Sequence, residues 1–141
     1  MNSEAGGLHL YAAGTPNGHK ATIALAELGL PFTLHKVDLA AGAHKQPAFL
    51  RLNPAGKIPV LVDRDAKAPS SGSPDGSFAL PESGAILFYL AGARAGPRGT
   101  ALLPDDPAAR AECLSWTIYQ AVSNCSPAQA GTHDRPEMVG Q

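Results

Sequence analysis

Three short stretches carry residue types that could do chemistry. In Thr15-Pro16-Asn17-Gly18-His19-Lys20 a hydroxyl stands before a proline suited to the first position of a helix. Thr15 would then offer its hydroxyl together with the positive end of the helix dipole, and Asn17 adds an amide donor. Both features favour an anion. In Asn53-Pro54-Ala55-Gly56-Lys57-Ile58-Pro59-Val60 the second proline stands where an apolar run begins. It has no N–H for a sheet ladder, so it must open the strand or lie on its edge. Ile58, held extended by the proline after it, would keep its own N–H and C=O unpaired and ready for an extended peptide-like ligand. A cis Ile58-Pro59 bond would suit so tight a turn, although only about one X-Pro bond in twenty is cis. In Pro81-Glu82-Ser83-Gly84-Ala85-Ile86 a carboxylate and a hydroxyl open an apolar helix, where free N–H groups attract a negative charge.

These stretches need elements to hold them. Leu8 to Ala12 is short and apolar, a first strand; Gly14 to Gly18 breaks it; Lys20 to Leu30 carries Ile23, Ala24, Leu25, Leu28 and Leu30 on helical spacing. Thr33 to Asp38 alternates as a second strand, and Pro47 to Asn53 forms a short helix that Pro54 ends. Val60 to Asp63 and Ser77 to Leu80 are the third and fourth strands, joined through Arg64 to Gly76, a Pro/Gly/Ser-rich stretch read as an exposed hairpin loop without chemistry. Ser83 to Ala91 is apolar almost all round, hence a buried helix. The order β-α-β-α-β-β-α implies an α/β, thioredoxin-like domain with a mixed four-stranded sheet over residues 8–92, after a loose tail at 1–7. Residues 93–106 read as a Pro/Gly linker, and 107–141 as the beginning of an all-α domain, helical to Val122 and coil beyond. Trp116 and Tyr119, three apart, are expected to pack against the first domain.

Composition narrows the function classes. A chain of 141 residues with 44% hydrophobic and 16% charged residues can bury a core of ordinary size. Its formal net charge of -1 gives no basic field for nucleic acid or an anionic membrane. No apolar run approaches the eighteen or so residues a bilayer demands, so the expected location is cytoplasmic. Cys113 and Cys125 have neither Cys-x-x-Cys nor metal-ligand spacing, and no metal is expected. No cysteine lies between Tyr11 and Lys20 to act as a protein nucleophile. Tyr11 on its strand reads as core, and His9, His19 and His35 as structural or exposed.

Lys-Ile-Pro-Val-Leu at 57–61, followed by Glu-Ser-Gly-Ala-Ile at 82–86, resembles the glutathione-site half of the glutathione transferases. Thr15-Pro16-Asn17-Gly18 resembles the branch related to the yeast nitrogen regulator, often called nu-class. The resemblance runs from about Leu8 to Leu90; Pro81 departs from it, since relatives commonly place an apolar or aromatic residue there. It implies glutathione as co-substrate, gripped at its γ-glutamyl end by Glu82 and Ser83, paired along its backbone with Ile58 beside Pro59, and met at its glycine carboxylate by Lys57. It also implies that Thr15 and Asn17 face the sulfur. Asn53 reads as a turn residue, and His44 lies where some relatives carry a glutamine near the glycyl end. The family's helical second domain is normally larger than the first, walls the second-substrate pocket and supplies much of the subunit interface. Only its opening helix is discernible, which leaves that pocket and pairing into a homodimer open.

The thiol sets the energetic requirement. Bringing it from a pKa of ~8.5 to about 6.5 takes roughly 2.7 kcal/mol in favour of the anion. A hydroxyl donating to charged sulfur supplies about 1.5 to 3 kcal/mol and a helix N-terminus about 0.3 to 1. Those two terms suffice. The resemblance thus implies an enzyme that conjugates glutathione to a small electrophile or reduces a disulfide or peroxide at its expense. The alternative is a non-catalytic binding or regulatory module. Locally, Thr15 as a helix cap, Ser83 as a cap with Glu82 outside it, and Lys57 as a solvated lysine also stay open.

Overall fold

The computed structural model describes residues 7–68, 73 and 75–123. Four strands form one mixed sheet in the order β2-β1-β3-β4. Strand β1 (Leu8–Ala12) pairs in parallel with β2 (Phe32–Lys36) and antiparallel with β3 (Val60–Lys67), which pairs antiparallel with β4 (Ser77–Pro81). The thioredoxin-like order read from the sequence is the order observed.

Period-two alternation sends the side chains of β1 to opposite faces. Leu8, Leu10 and Ala12 turn to one face with Leu61, and there helix α1 (Pro16–Glu27) packs Ala21, Ala24 and Leu25 while α3 (Ser83–Tyr89) and the turn after it bring Ile86 and Leu90. Leu10, Leu25, Leu61, Ile86 and Leu90 are fully buried, each side chain stabilising the fold by about 1.5 to 3 kcal/mol relative to exposure. The other face carries Val60, Val62 and Ala79, covered by Phe49 of the short helix α2 (Pro47–Leu52).

Three stretches differ from the sequence reading. Helix α1 begins at Pro16, so the break that was expected to run through Gly18 ends at Thr15. Gly18 belongs to the helix because a Cβ there would collide with the carbonyl oxygen of Ala13, letting the first turn close on the end of β1. Strand β3 runs on to Lys67, well into the stretch read as loop. Its extension is held from outside: Arg64 N–H donates to Gly7 O, and Arg94 pairs with both Asp63 (3.2 Å) and Asp65 (2.9 Å). Within the rest of that loop, residues 69–72 and 74 lie outside the described residues. Finally, α3 passes into a wider π-helical turn (Leu90–Arg94) and a 3-10 turn (Gly96–Ala101), which order the Pro/Gly segment through the tight approach of Gly99 to Ala91 O and burial of Leu103.

The contacts divide the chain into two units that meet at Asp105/Asp106. The second is a single described helix, α4 (Pro107–Ser123). Its Trp116 and Tyr119 meet each other edge to face, with ring centroids 5.8 Å apart. The reading of 124–141 as coil, like Cys125 and most of the tail at 1–7, falls outside the described residues. No helix among the described residues is long and apolar enough to cross a membrane.

Candidate functional site

The antiparallel pairing gathers the chemistry at one end of the sheet. Tyr11 pairs with Val60, and Val60 with Pro81. The end of β1, the start of β3 and the end of β4 are therefore neighbours, and from them lead Thr15, Ile58-Pro59 and Glu82-Ser83 respectively.

Thr15 is the N-cap of α1 in extended geometry, with Pro16 at the first helical position. Its Oγ1 accepts the N–H of Gly18 at 3.2 Å. A hydroxyl that accepts still has its own proton to give, so the cap and the anion donor are compatible roles of one side chain. Asn17 follows on the same first turn, and its Oδ1 accepts from Lys20 Nζ at 2.9 Å. An ammonium can only pair with the oxygen, so this bond fixes which way the amide faces and leaves its NH2 to donate elsewhere. Lys20 went unnoticed as a supporting residue, although its i, i+3 spacing from Asn17 on a helix was the available signal.

The Ile58-Pro59 bond is cis. The β3 ladder begins only at Val60, and among the described residues the N–H of Ile58 has no hydrogen bond. The loop before it is stapled from inside. Asn53, 5% exposed, donates from Nδ2 to Lys57 O at 2.8 Å and accepts from Ala55 N–H at Oδ1, while Lys45 Nζ donates to Gly56 O at 3.0 Å. Asn53 is thus the turn residue its sequence suggests. Lys57 is exposed, its ammonium in solvent. His44, set aside on sequence, has a buried Nδ1 without a partner among the described residues.

At the third stretch Glu82, not Ser83, is the N-cap of α3, and its side chain makes no cap hydrogen bond. Glu82 has φ 73° and ψ 115°, the one positive φ outside glycine among the described residues. Such a backbone costs on the order of 1 to 3 kcal/mol and persists where surrounding structure enforces it, characteristically at binding sites. With the cap unused, the first N–H groups of α3 stay open, next to a Ser83 hydroxyl with no partner of its own among the described residues. The three sheet-end features together could take a carboxylate at α3, an extended backbone at Ile58 and an anion at Thr15.

A four-stranded mixed sheet with α1 and α3 on one face and α2 on the other, closed by a cis-proline turn, is a thioredoxin-like domain. Residues 15–93 match the family model described as the glutathione S-transferase N-terminal domain, and the chain belongs to that family. It is 42% identical over 113 residues to the disulfide-bond oxidoreductase YfcG of Escherichia coli, covering 80% of this chain and 48% of that protein. It is 32% identical over 106 residues to the transcriptional regulator URE2 of Saccharomyces cerevisiae, covering 74% of this chain and 27% of that protein. Among solved structures it is similar to a glutathione transferase family member from Pseudomonas fluorescens with two glutathione bound, with a TM-score of 0.69 and 36% identity over 85% of this chain and 48% of the other. Ure2p in complex with glutathione matches with a TM-score of 0.67, 27% identity and coverage of 86% and 47%. The chain spans about half the length of these relatives or less. Among the described residues no three or more His, Cys, Asp and Glu side chains lie together as a metal site would need.

Proposed function

We propose that this chain binds glutathione across the sheet end and activates its thiol for reduction of disulfides or peroxides, or for conjugation to small electrophiles. The observation that carries this is the convergence of an unpaired Ile58 N–H, an uncapped and strained Glu82-Ser83 helix start, and a Thr15 hydroxyl with its proton free. Those are the needs of an extended tripeptide with a carboxylate at one end and a thiol midway. The glutathione complexes of the similar structures and the oxidoreductase name of one relative support it.

In this reading Glu82 meets the γ-glutamyl ammonium, and Ser83 with the α3 N–H groups meets the adjoining carboxylate. Ile58 pairs with the cysteinyl backbone beside Pro59, and Lys57 meets the glycine carboxylate. Thr15 donates to the sulfur and so holds it as thiolate, with Asn17 as a weaker donor. The thiolate then attacks a disulfide sulfur, expelling the other sulfur as the leaving thiolate and leaving a mixed disulfide with glutathione. A second glutathione would release it. The reducing cytoplasm, where glutathione is held as thiol, is the compartment this chemistry suits.

A second reading has its own support: a relative named a transcriptional regulator has the same domain and a glutathione complex. Under it the chain binds glutathione without turnover. Calorimetric titration of glutathione into the purified chain, followed by glutathione-dependent disulfide reduction and chlorodinitrobenzene conjugation, separates the cases. Binding with turnover supports the enzyme and binding without it the module. Absence of binding at millimolar glutathione overturns both.

A further inference from the structure

On the face of the sheet that α2 covers lies a cavity of about 600 Å³. That volume falls within the range of small-molecule pockets, roughly 300 to 1,000 Å³. None of the seven residues of the candidate glutathione site lines it. Its sheet wall is built of rings. Tyr11 and His35 stand parallel, with centroids 4.4 Å apart and planes within 10°, and His35 is fixed in turn by a 2.9 Å hydrogen bond between its Nε2 and His9 Nδ1. Burial is the largest of the causes that lower the pKa of His35, followed by the charges of His9 and Arg64, so its surroundings disfavour a charge on that ring. Phe49 and Leu52 of α2 face it, while the Tyr11 hydroxyl has no hydrogen-bond partner among the described residues.

The polar groups around this apolar interior are mostly of one sign. Lys36, Arg51 and Arg64 line the cavity, against a single carboxylate, Asp75. That carboxylate is already engaged by Ser73 Oγ at 2.7 Å and Ser77 N–H at 3.0 Å. Lys36 and Arg51 are exposed, and Arg64, which has partners of its own, is half-buried. Parallel rings extend by offset stacking to a further aromatic body, and a guanidinium fork recognises a carboxylate in two hydrogen bonds.

We infer that this cavity is a binding site for small aromatic carboxylates, separate from the glutathione groove. The ring system of the ligand enters between Tyr11 and Phe49, and its carboxylate stays at the mouth with Arg51. Glutathione itself, with no aromatic body, is not its ligand.

The test is calorimetry of the full chain with naphthalene-2-carboxylate, repeated in saturating glutathione, with naphthalene-2-carboxamide as the neutral control. Binding is expected in both conditions with Kd equal within about twofold, and roughly tenfold or more weaker for the amide, which lacks the charge-assisted hydrogen bonds. Arg51→Glu, an exposed change that leaves the fold alone, should weaken the carboxylate by at least about tenfold. Ala48→Trp, also on the lining, should block carboxylate and amide alike while leaving glutathione binding as it was. No binding at millimolar carboxylate overturns the inference. So does displacement by glutathione, or affinity untouched by both substitutions. Because the carboxylate is titrated with and without glutathione, failure of the glutathione reading leaves this result intact.

Discussion

At the scale of single residues, the proposed thiol site rests on one hydroxyl and the amide beside it. Thr15→Ala removes the donor, and since a hydroxyl gives a charged acceptor about 1.5 to 3 kcal/mol, the bound thiol should titrate roughly one to two units higher. Thr15→Ser should restore it. The same Ala substitution also removes the Gly18 cap, at about 0.5 to 2 kcal/mol of stability. Serine keeps that bond, so the pair of variants separates cap from catalyst. Lys20→Met frees the Asn17 amide to turn its oxygen toward the sulfur and should produce a smaller rise. Thiolate absorbance of the glutathione complex against pH reads all three, and superimposable profiles would remove Thr15 and Lys20 from the chemistry. Glu82 allows a sharper separation. Glycine accepts its φ of 73° without strain, so Glu82→Gly should hold or raise the thermal midpoint while glutathione affinity drops about tenfold or more with loss of the ammonium's partner. A fall in stability alongside affinity would mark Glu82 as a structural cap. Sequence pointed to Thr15, Ile58, Glu82 and Ser83 because each has a local signature: a proline, a helix start. It gave no sign of the positive φ at Glu82, which stands between the end of β4 and the start of α3.

At the scale of elements, the runs and spacing of apolar residues were enough to find four strands and four helices, even β2, none of whose five residues is buried. They failed at the end of β3, where Arg64, Asp65 and Lys67 read as turn and loop residues. What keeps them in a strand is distant in sequence. Asp63, fully buried, accepts the Tyr89 hydroxyl at 2.7 Å and the N–H groups of Asp65 and Ala66, and is paired with Arg94. This couples the strand to α3 and the turn after it. Burial first, then the hydrogen bond to Asp63 and its charge, push the Tyr89 pKa up to about 12. An unfolded tyrosine titrates near 10 and so releases its proton first. The stabilisation is therefore complete below about pH 10 and is lost as pH rises from 10 towards 12. Tyr89→Phe should be less stable at neutral pH, by about 1.5 to 3 kcal/mol for a hydrogen bond to a charged acceptor, yet lose less on alkalinisation. Denaturant midpoints of both proteins between about pH 9 and 12 measure it, and parallel curves would exclude the coupling.

At the scale of the whole molecule, the first unit closes its own core, and α4, taken by itself, is a single amphipathic helix. Leu114, Ile118 and Val122, spaced by four, form one stripe along α4 and are 43%, 54% and 73% exposed, with Trp116 and Tyr119 beside them. A lone 17-residue helix is marginal in water, and an apolar stripe of this length gains stability only when something covers it. The sequence shows the stripe but not its cover, since an amphipathic pattern says which face is buried and never against what. A second copy of the chain supplies an identical stripe, and two such helices can pack face to face about a twofold axis. The purified chain is therefore expected to sediment as a dimer at tens of micromolar, with the dimer dissociating on dilution. Leu114→Gln with Ile118→Gln should shift it to monomer and leave glutathione affinity within about twofold, because the thiol groove is built wholly from the first unit. Monomeric sedimentation of the unaltered chain at about 100 micromolar would mean that α4 does not pair chains. Loss of glutathione binding along with the dimer would mean that the groove needs the partner, and that the tripeptide site is complete only between two copies.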